Sequence, residues 1–159
     1  MAYLIDGSNY LGYTSPSNLE DPKTKHALVS QFLTFQKAKR TKIFVVFDGP
    51  PDPNLKTKRH QTKSFSVHYP HPDEDADMII KKIISKQTDL RRFYVVSSDG
   101  EIKNFARRKG AKSLSCAEFE RTLKTILKKH RRFSDAQKKP GAPSPLEVDQ
   151  WLKIFRHKK

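Results

Sequence analysis

An α/β fold built on a mainly parallel sheet is predicted by three features of this 159-residue sequence. Short β-type runs alternate with stretches of helical periodicity, the order that yields strands crossed over by helices. The run Ile43-Phe44-Val45-Val46-Phe47 is apolar throughout, as a strand covered on both faces must be. Several runs also stop abruptly at a carboxylate beside glycine or serine, at Asp6-Gly7-Ser8-Asn9, Asp48-Gly49-Pro50-Pro51 and Ser97-Ser98-Asp99-Gly100. A five-stranded sheet in the order 3-2-1-4-5 fits this layout, and ligands of such sheets bind outside the carboxyl ends of the strands.

The first strand is Ala2-Tyr3-Leu4-Ile5, ending in a polar loop at residues 6–9. Asp21-Pro22 is an N-cap followed by proline at the first helical position; Leu28, Phe32, Leu33 and Phe35 then make a buried stripe, so a helix spans about 22–39. Residues 42–47 form the second strand. The proline-bearing, basic stretch 50–63 is too polar to pack and is expected to be a functional or mobile loop. Alternating Phe65, Val67 and Tyr69 give a third strand. Ile79, Ile80, Ile83 and Ile84 then share one helical face behind Asp73-Glu74-Asp75-Ala76-Asp77, whose charges suit a helix N-terminus. Phe93–Val96 is a fourth strand, Ile102, Phe105 and Ala106 belong to a helix stopped at Gly110, and 111–114 is a brief fifth strand. Ser115-Cys116-Ala117-Glu118 has the capping-box order and opens a helix ending near Lys129. The expected organisation is a domain over 1–133, a linker over 134–144 and a C-terminal helix and basic tail over 145–159. In that helix Val148, Trp151, Leu152 and Phe155 share a face, which docks on the domain or grips a partner.

Lys and Arg number 32 against 17 Asp and Glu, a net charge of +15 that attracts polyanions, so nucleic acid is the first partner to consider. No apolar run approaches the roughly 18 residues needed to span a bilayer, and the N-terminus lacks the pattern of a secretory signal. A cytoplasmic protein with no membrane partner is expected. With Cys116 as the single cysteine, an intrachain disulfide and thiolate-rich zinc sites are excluded, and the thiol is expected to fill a small apolar position. No G-x-G-x-x-G or P-loop order occurs, which argues against dinucleotide cofactors.

If the strands are parallel, Asp6, Asp48 and Asp99 follow strands one, two and four, and Asp77 lies early in the helix after strand three. One such aspartate is most often a cap or turn residue. Four converging on one sheet edge repel one another unless a divalent cation offsets the charge, and oxygen-only ligands select Mg²⁺ or Mn²⁺. An acidic pocket inside a basic surface fits metal-dependent phosphoester hydrolysis. Ser97 and Ser98 either bond a phosphate or a metal-bound water or, as strand-end serines usually do, satisfy local backbone.

These segments resemble the YacP-like branch of the NYN ribonucleases, within the PIN-like nuclease fold. The likeness rests on Leu4-Ile5-Asp6-Gly7-Ser8-Asn9, Val45-Val46-Phe47-Asp48-Gly49, Ala76-Asp77-Met78-Ile79-Ile80, Val95-Val96-Ser97-Ser98-Asp99, and Gly110-Ala111 with Ser115-Cys116-Ala117-Glu118-Phe119, over residues 3 to about 127. It implies a Rossmann-like three-layer sandwich and a metal-dependent endoribonuclease; bacterial relatives cleave messenger RNA in association with the ribosome. It also implies that Asp6, Asp77 and Asp99 bind metal, that Asn9 orients Asp6, and that Asp48 is an additional acid at the rim. One departure is Met78, where the family often has a second acid; either the site holds fewer ligands or Asp73, Glu74 or Asp75 substitutes.

The basic residues expected to hold single-stranded RNA are Lys56, Lys58, Arg59, His60 and Lys63 on the long loop, with Arg107 and Arg108. His60 makes a phosphate contact or protonates a leaving oxygen. Residues 103–139 carry 13 Lys or Arg against Glu118, Glu120 and Asp135, a bias too uneven for solubility alone. His68 and His71 are expected in loop positions rather than as a metal pair. Two alternatives stand beside the nuclease: a non-catalytic RNA- or ribosome-binding module, which Met78 favours, and a phosphotransfer enzyme, disfavoured because no second acid lies close behind Asp6. Sequence leaves oligomeric state and RNA specificity undetermined.

Overall fold

The computed structural model describes residues 1–55, 57 and 60–138. Its strands β1 (Ala2–Asp6), β2 (Lys42–Val46), β3 (Phe65–His68), β4 (Phe93–Val96) and β5 (Lys112–Leu114) form one parallel sheet in the order β3-β2-β1-β4-β5. That is the expected topology. Among the described residues five α-helices accompany it: α1 (Gly7–Thr14), α2 (Pro22–Lys39), α3 (Ala76–Lys86), α4 (Gly100–Lys109) and α5 (Cys116–Lys138). Alternating side chains of the strands point to opposite faces, so each face carries its own core. On one, Tyr3, Ile5, Ile43 and Val45 pack against α1, α2 and α5. On the other, Leu4, Val46, Phe93 and Val95 pack against the isoleucines of α3 and Ile102 and Ala106 of α4.

The first core is aromatic. Phe119 of α5 meets the rings of Tyr3, Tyr10, Phe32 and Phe35 at centroid separations of 5.4 to 6.0 Å, which locks three helices and β1 into one unit. The caps form as the sequence requires. Asp21 accepts from Lys23 N–H ahead of Pro22, and in the capping box Ser115 and Glu118 bond each other's backbone N–H reciprocally. Gly110 ends α4 in the left-handed region, with φ 97°.

Three local expectations are corrected. Residues 6–9 are not a loop: Asp6 caps α1, which starts at once because Tyr10 and Leu11 are buried on its inner face. The long β2–β3 connection is not wholly unpacked, since Pro53–Leu55 forms a 3-10 turn that buries Leu55 in the aromatic core. Helix α5 runs to Lys138 rather than ending near Lys129, so residues 134–138 are helix and not linker. The cause is local: the first proline after Lys129 is Pro140. Lys56, Lys58, Arg59 and the expected helix over 145–159 lie outside the described residues. Among the described residues no helix is long and apolar enough to cross a membrane.

Candidate active site

Strand register sets the levels of the acids. Asp6, the last residue of β1, pairs with Val46, while Ile5 pairs with Val96, so Ser97 stands beside Asp6. Asp48 and Asp99 each lie two residues further on, one on either side of β1. Chain direction across the sheet changes between β1 and β4, the crevice where such sheets bind ligands.

Asp6 is buried, with 6% of its surface exposed. One carboxylate oxygen accepts from the Asn9 backbone N–H at 3.3 Å and the other from Ser97 Oγ at 3.3 Å. Burial, more than any neighbour, pushes its pKa up to about 6, and the charges of Asp77 and Asp99 push the same way. Asp77, in the first turn of α3, is also raised, by its own desolvation and then by Asp99, Asp75 and Glu101. Asp99 caps α4 through one oxygen, which accepts from Glu101 and Ile102 N–H, and its own N–H donates to Ser97 Oγ at 3.1 Å. Ser97 therefore ties Asp6 and Asp99 together.

Asn9 is placed as a second tie. Its side-chain oxygen accepts from Ser98 N–H at 2.9 Å and from the Cys116 thiol at 3.1 Å, joining α1, the β4–α4 turn and α5. Cys116 is buried, as expected, and desolvation raises its pKa, so its role is that of a neutral donor. Gly7 is required for contact: a Cβ there would meet Phe47 carbons at 2.7 and 2.8 Å.

The structure thus brings Asp6, Asn9, Asp77 and Asp99 to one place. Asp48 is exposed, and its backbone N–H, not its carboxylate, is held, by Ser8 Oγ at 2.8 Å. Met78 is 44% exposed. Of the acids named as replacements there, Asp75 caps α3 by accepting from Met78 N–H and Glu74 pairs with Lys82. Lys63 is exposed; His60 is partly buried and bonds Thr57. His68, expected in a loop, is instead the last residue of β3, paired with Val46 and bonded to Ser66. Arg107 and Arg108 are not at the acid end: they occupy the last turn of α4, and Arg107 donates to Ser113 at 3.0 Å.

Two residues went unnoticed in sequence. Glu101 and Lys81 pair at 2.7 Å between α4 and α3, and Lys81 is the cation that lowers the pKa of Asp77. Their only sequence signal is position, one turn past Asp77 and two residues past Asp99. A hollow of about 550 Å³ between α1, α2 and α5, lined by Tyr10, Leu28, Leu123, Leu127, Lys128 and Arg131, lies in the other layer and holds none of these acids.

The oxygen-only donor set fits a hard divalent cation chemically. Mutual repulsion among Asp6, Asp77 and Asp99 is what such a charge would relieve. Among the described residues no three His, Cys, Asp or Glu side chains are grouped closely enough to hold a metal ion as they stand.

The YacP-like NYN domain profile matches residues 3–154. The chain belongs to the YacP-like NYN domain family. Two crystal structures of Rae1 (YacP) from Bacillus subtilis are similar in fold. One superposes with a TM-score of 0.72 at 23% identity, and the W164L mutant with 0.73 at 21%; each comparison covers 98% of this chain and 92% of the other. No curated protein sequence matches the chain. Membership in this family places the chain among nuclease-like, RNA-processing domains with a PIN-like fold.

Proposed function

We propose that this NYN domain is a Mg²⁺- or Mn²⁺-dependent endoribonuclease that cuts single-stranded RNA, with messenger RNA on the ribosome as its target. The observation that carries this reading is the junction of Asp6, Asp77 and Asp99, where burial and then the charges of Asp77 and Asp99 raise the pKa of Asp6, and desolvation and then Asp99 raise that of Asp77, in a protein of net charge +15. Such a costly arrangement is retained where a cation and a phosphate use it.

Asp6, Asp77 and Asp99 would hold the cation. When bound, it supplies charge for the phosphate and acidity for an attacking water. Hydrolysis joins the water oxygen to phosphorus, breaks one P–O ester bond and returns a proton to the leaving oxygen. Ser97 and Asn9 hold Asp6 and the β4–α4 turn in place, so the acids need little rearrangement. Asp48 stands at the rim, and Lys56, Lys58, Arg59, His60 and Lys63 are the basic residues assigned to the RNA backbone.

The test is cleavage of a labelled single-stranded RNA with Mg²⁺, Mn²⁺ or EDTA, with and without ribosomes, for wild type and Asp77→Asn. Internal cuts that need metal and vanish in the variant are expected. A second reading, a non-catalytic RNA-binding module, is favoured by exposed Met78 in place of an acid. Intact RNA in every metal, bound with steep salt dependence, is its signature.

A further inference from the structure

Helices α3 and α4 lead away from the acids side by side, and their shared outer surface carries a group that the hydrolytic centre does not use. Phe105 is half-buried against the aliphatic core. Three cations stand around its ring: Lys81 Nζ and Lys109 Nζ at 5.6 Å from the centroid and the Arg108 guanidinium carbon at 6.0 Å. These separations are near the outer limit of cation–π attraction, so the ring is attended but not sealed. A hollow of about 340 Å³ opens over it, lined by Phe105, Arg108 and Lys109. That is within the size range of small-ligand pockets.

Charge makes the arrangement incomplete. Lys81 is paired with Glu101, but among the described residues Arg108 and Lys109 have no carboxylate partner. Gathering cations around one ring costs repulsion that an anion from outside would offset. A planar aromatic face ringed by donors of positive charge matches one ligand class well, a nucleotide, whose base stacks while its phosphate pairs with the cations. Position also fits. Six residues of helix separate Asp99 from Phe105, a rise of about 9 Å, on the order of one or two nucleotide steps. Lys81 bridges the interval, since it touches Glu101 beside the acids and faces Phe105 as well.

We propose that Phe105, with Lys81, Arg108 and Lys109, is a nucleotide subsite that stacks a base of the single-stranded RNA flanking the scissile phosphate. The subsite rests on the nuclease reading for its relation to a cut, but not for its ability to bind.

Binding is measured first, in EDTA so that nothing is cut, with a short single-stranded RNA carrying one fluorescent 2-aminopurine and with its abasic counterpart. Wild type is expected to quench the fluorophore and to prefer the base-bearing strand. Phe105→Leu, which keeps the apolar contact and removes the ring, is expected to abolish quenching and weaken binding about tenfold with the same salt slope. Arg108→Ala with Lys109→Ala, both exposed and outside the hydrolytic centre, is expected to reduce the salt slope by about 0.7 per lost phosphate contact. Equal affinity for the abasic strand, or quenching that survives Phe105→Leu in a protein that melts as wild type does, overturns the subsite. Cleavage is then followed: these variants should raise KM and leave kcat nearly unchanged. Ring-dependent binding without cleavage in any metal would leave the subsite standing and sink the nuclease. Cleavage indifferent to Phe105 would do the reverse.

Discussion

Asp48 and Asp99 occupy equivalent levels on opposite sides of β1, each two residues beyond Asp6, and each has its backbone N–H held by a serine hydroxyl, Ser8 or Ser97. Their carboxylates nonetheless have opposite environments. Asp99 is followed by α4, so its side chain is fixed as a cap and α3, packed on α4, delivers Asp77 beside it. Asp48 is followed by Gly49-Pro50-Pro51 and no α-helix, so its carboxylate stays in solvent. What makes a strand-end aspartate part of a charged cluster is therefore the element that comes next, not the strand that precedes it.

The largest expected effect breaks this comparison most directly. Asp99→Asn keeps a capping oxygen but removes the charge, and should lower kcat/KM for RNA cleavage by about 10³-fold or more, as loss of a member of a concerted site does. Asp48→Asn should change it by about threefold at most, the scale of a rim charge screened by water. Side-by-side rates in Mn²⁺ decide the matter; equal losses would mean that Asp48 belongs to the centre after all.

Asp6 is expected to affect stability next most strongly. Its pKa in the folded state, about 6, lies above the ordinary 3.8, so the folded state holds the proton more tightly than the unfolded chain. The associated stability is fully present below about pH 4, falls as pH rises through about 6, and has then cost about 3 kcal/mol. Asp6→Asn cannot ionise. It should therefore be more stable than wild type at pH 7.5, by up to about 3 kcal/mol in metal-free buffer, and nearly equally stable at pH 4. Adding Mn²⁺ should stabilise wild type and not the variant, because only the ionised site gains a ligand. Calorimetry at both pH values tests each half.

Much of this contrast was legible in sequence, and its physical sources differ. The strand ends were visible because apolar runs meet Asp abruptly, and the Asp21-Pro22 and Ser115–Glu118 caps depend on neighbours within four residues. Helix α1 was hidden, since Gly7 and Gly12 give it poor intrinsic propensity and it is held by the burial of Tyr10 and Leu11 and the approach of Gly7 to Phe47. The Lys81–Glu101–Phe105 track was hidden for another reason. Its members meet only when α3 packs on α4, and no local pattern encodes that meeting.

The smallest effects come from the two serines, and they sharpen the comparison because the substitution is the same. Ser97 Oγ, fully buried, accepts from Asp99 N–H and donates to Asp6, so Ser97→Ala leaves the part-buried Asp99 N–H without its acceptor and removes from the buried Asp6 carboxylate a bond that lowers its pKa. A loss of about 1 to 3 kcal/mol is expected, with the acid limb of the kcat/KM pH profile shifted to higher pH. Ser8 Oγ receives only the N–H of exposed Asp48, which water can satisfy instead. Ser8→Ala should cost under about 1 kcal/mol and leave the pH profile in place. If the acid limb moved equally in both variants, the hydroxyl beside Asp6 would have no special hold on its charge, and the distinction between the β4 and β2 sides would reduce to burial alone.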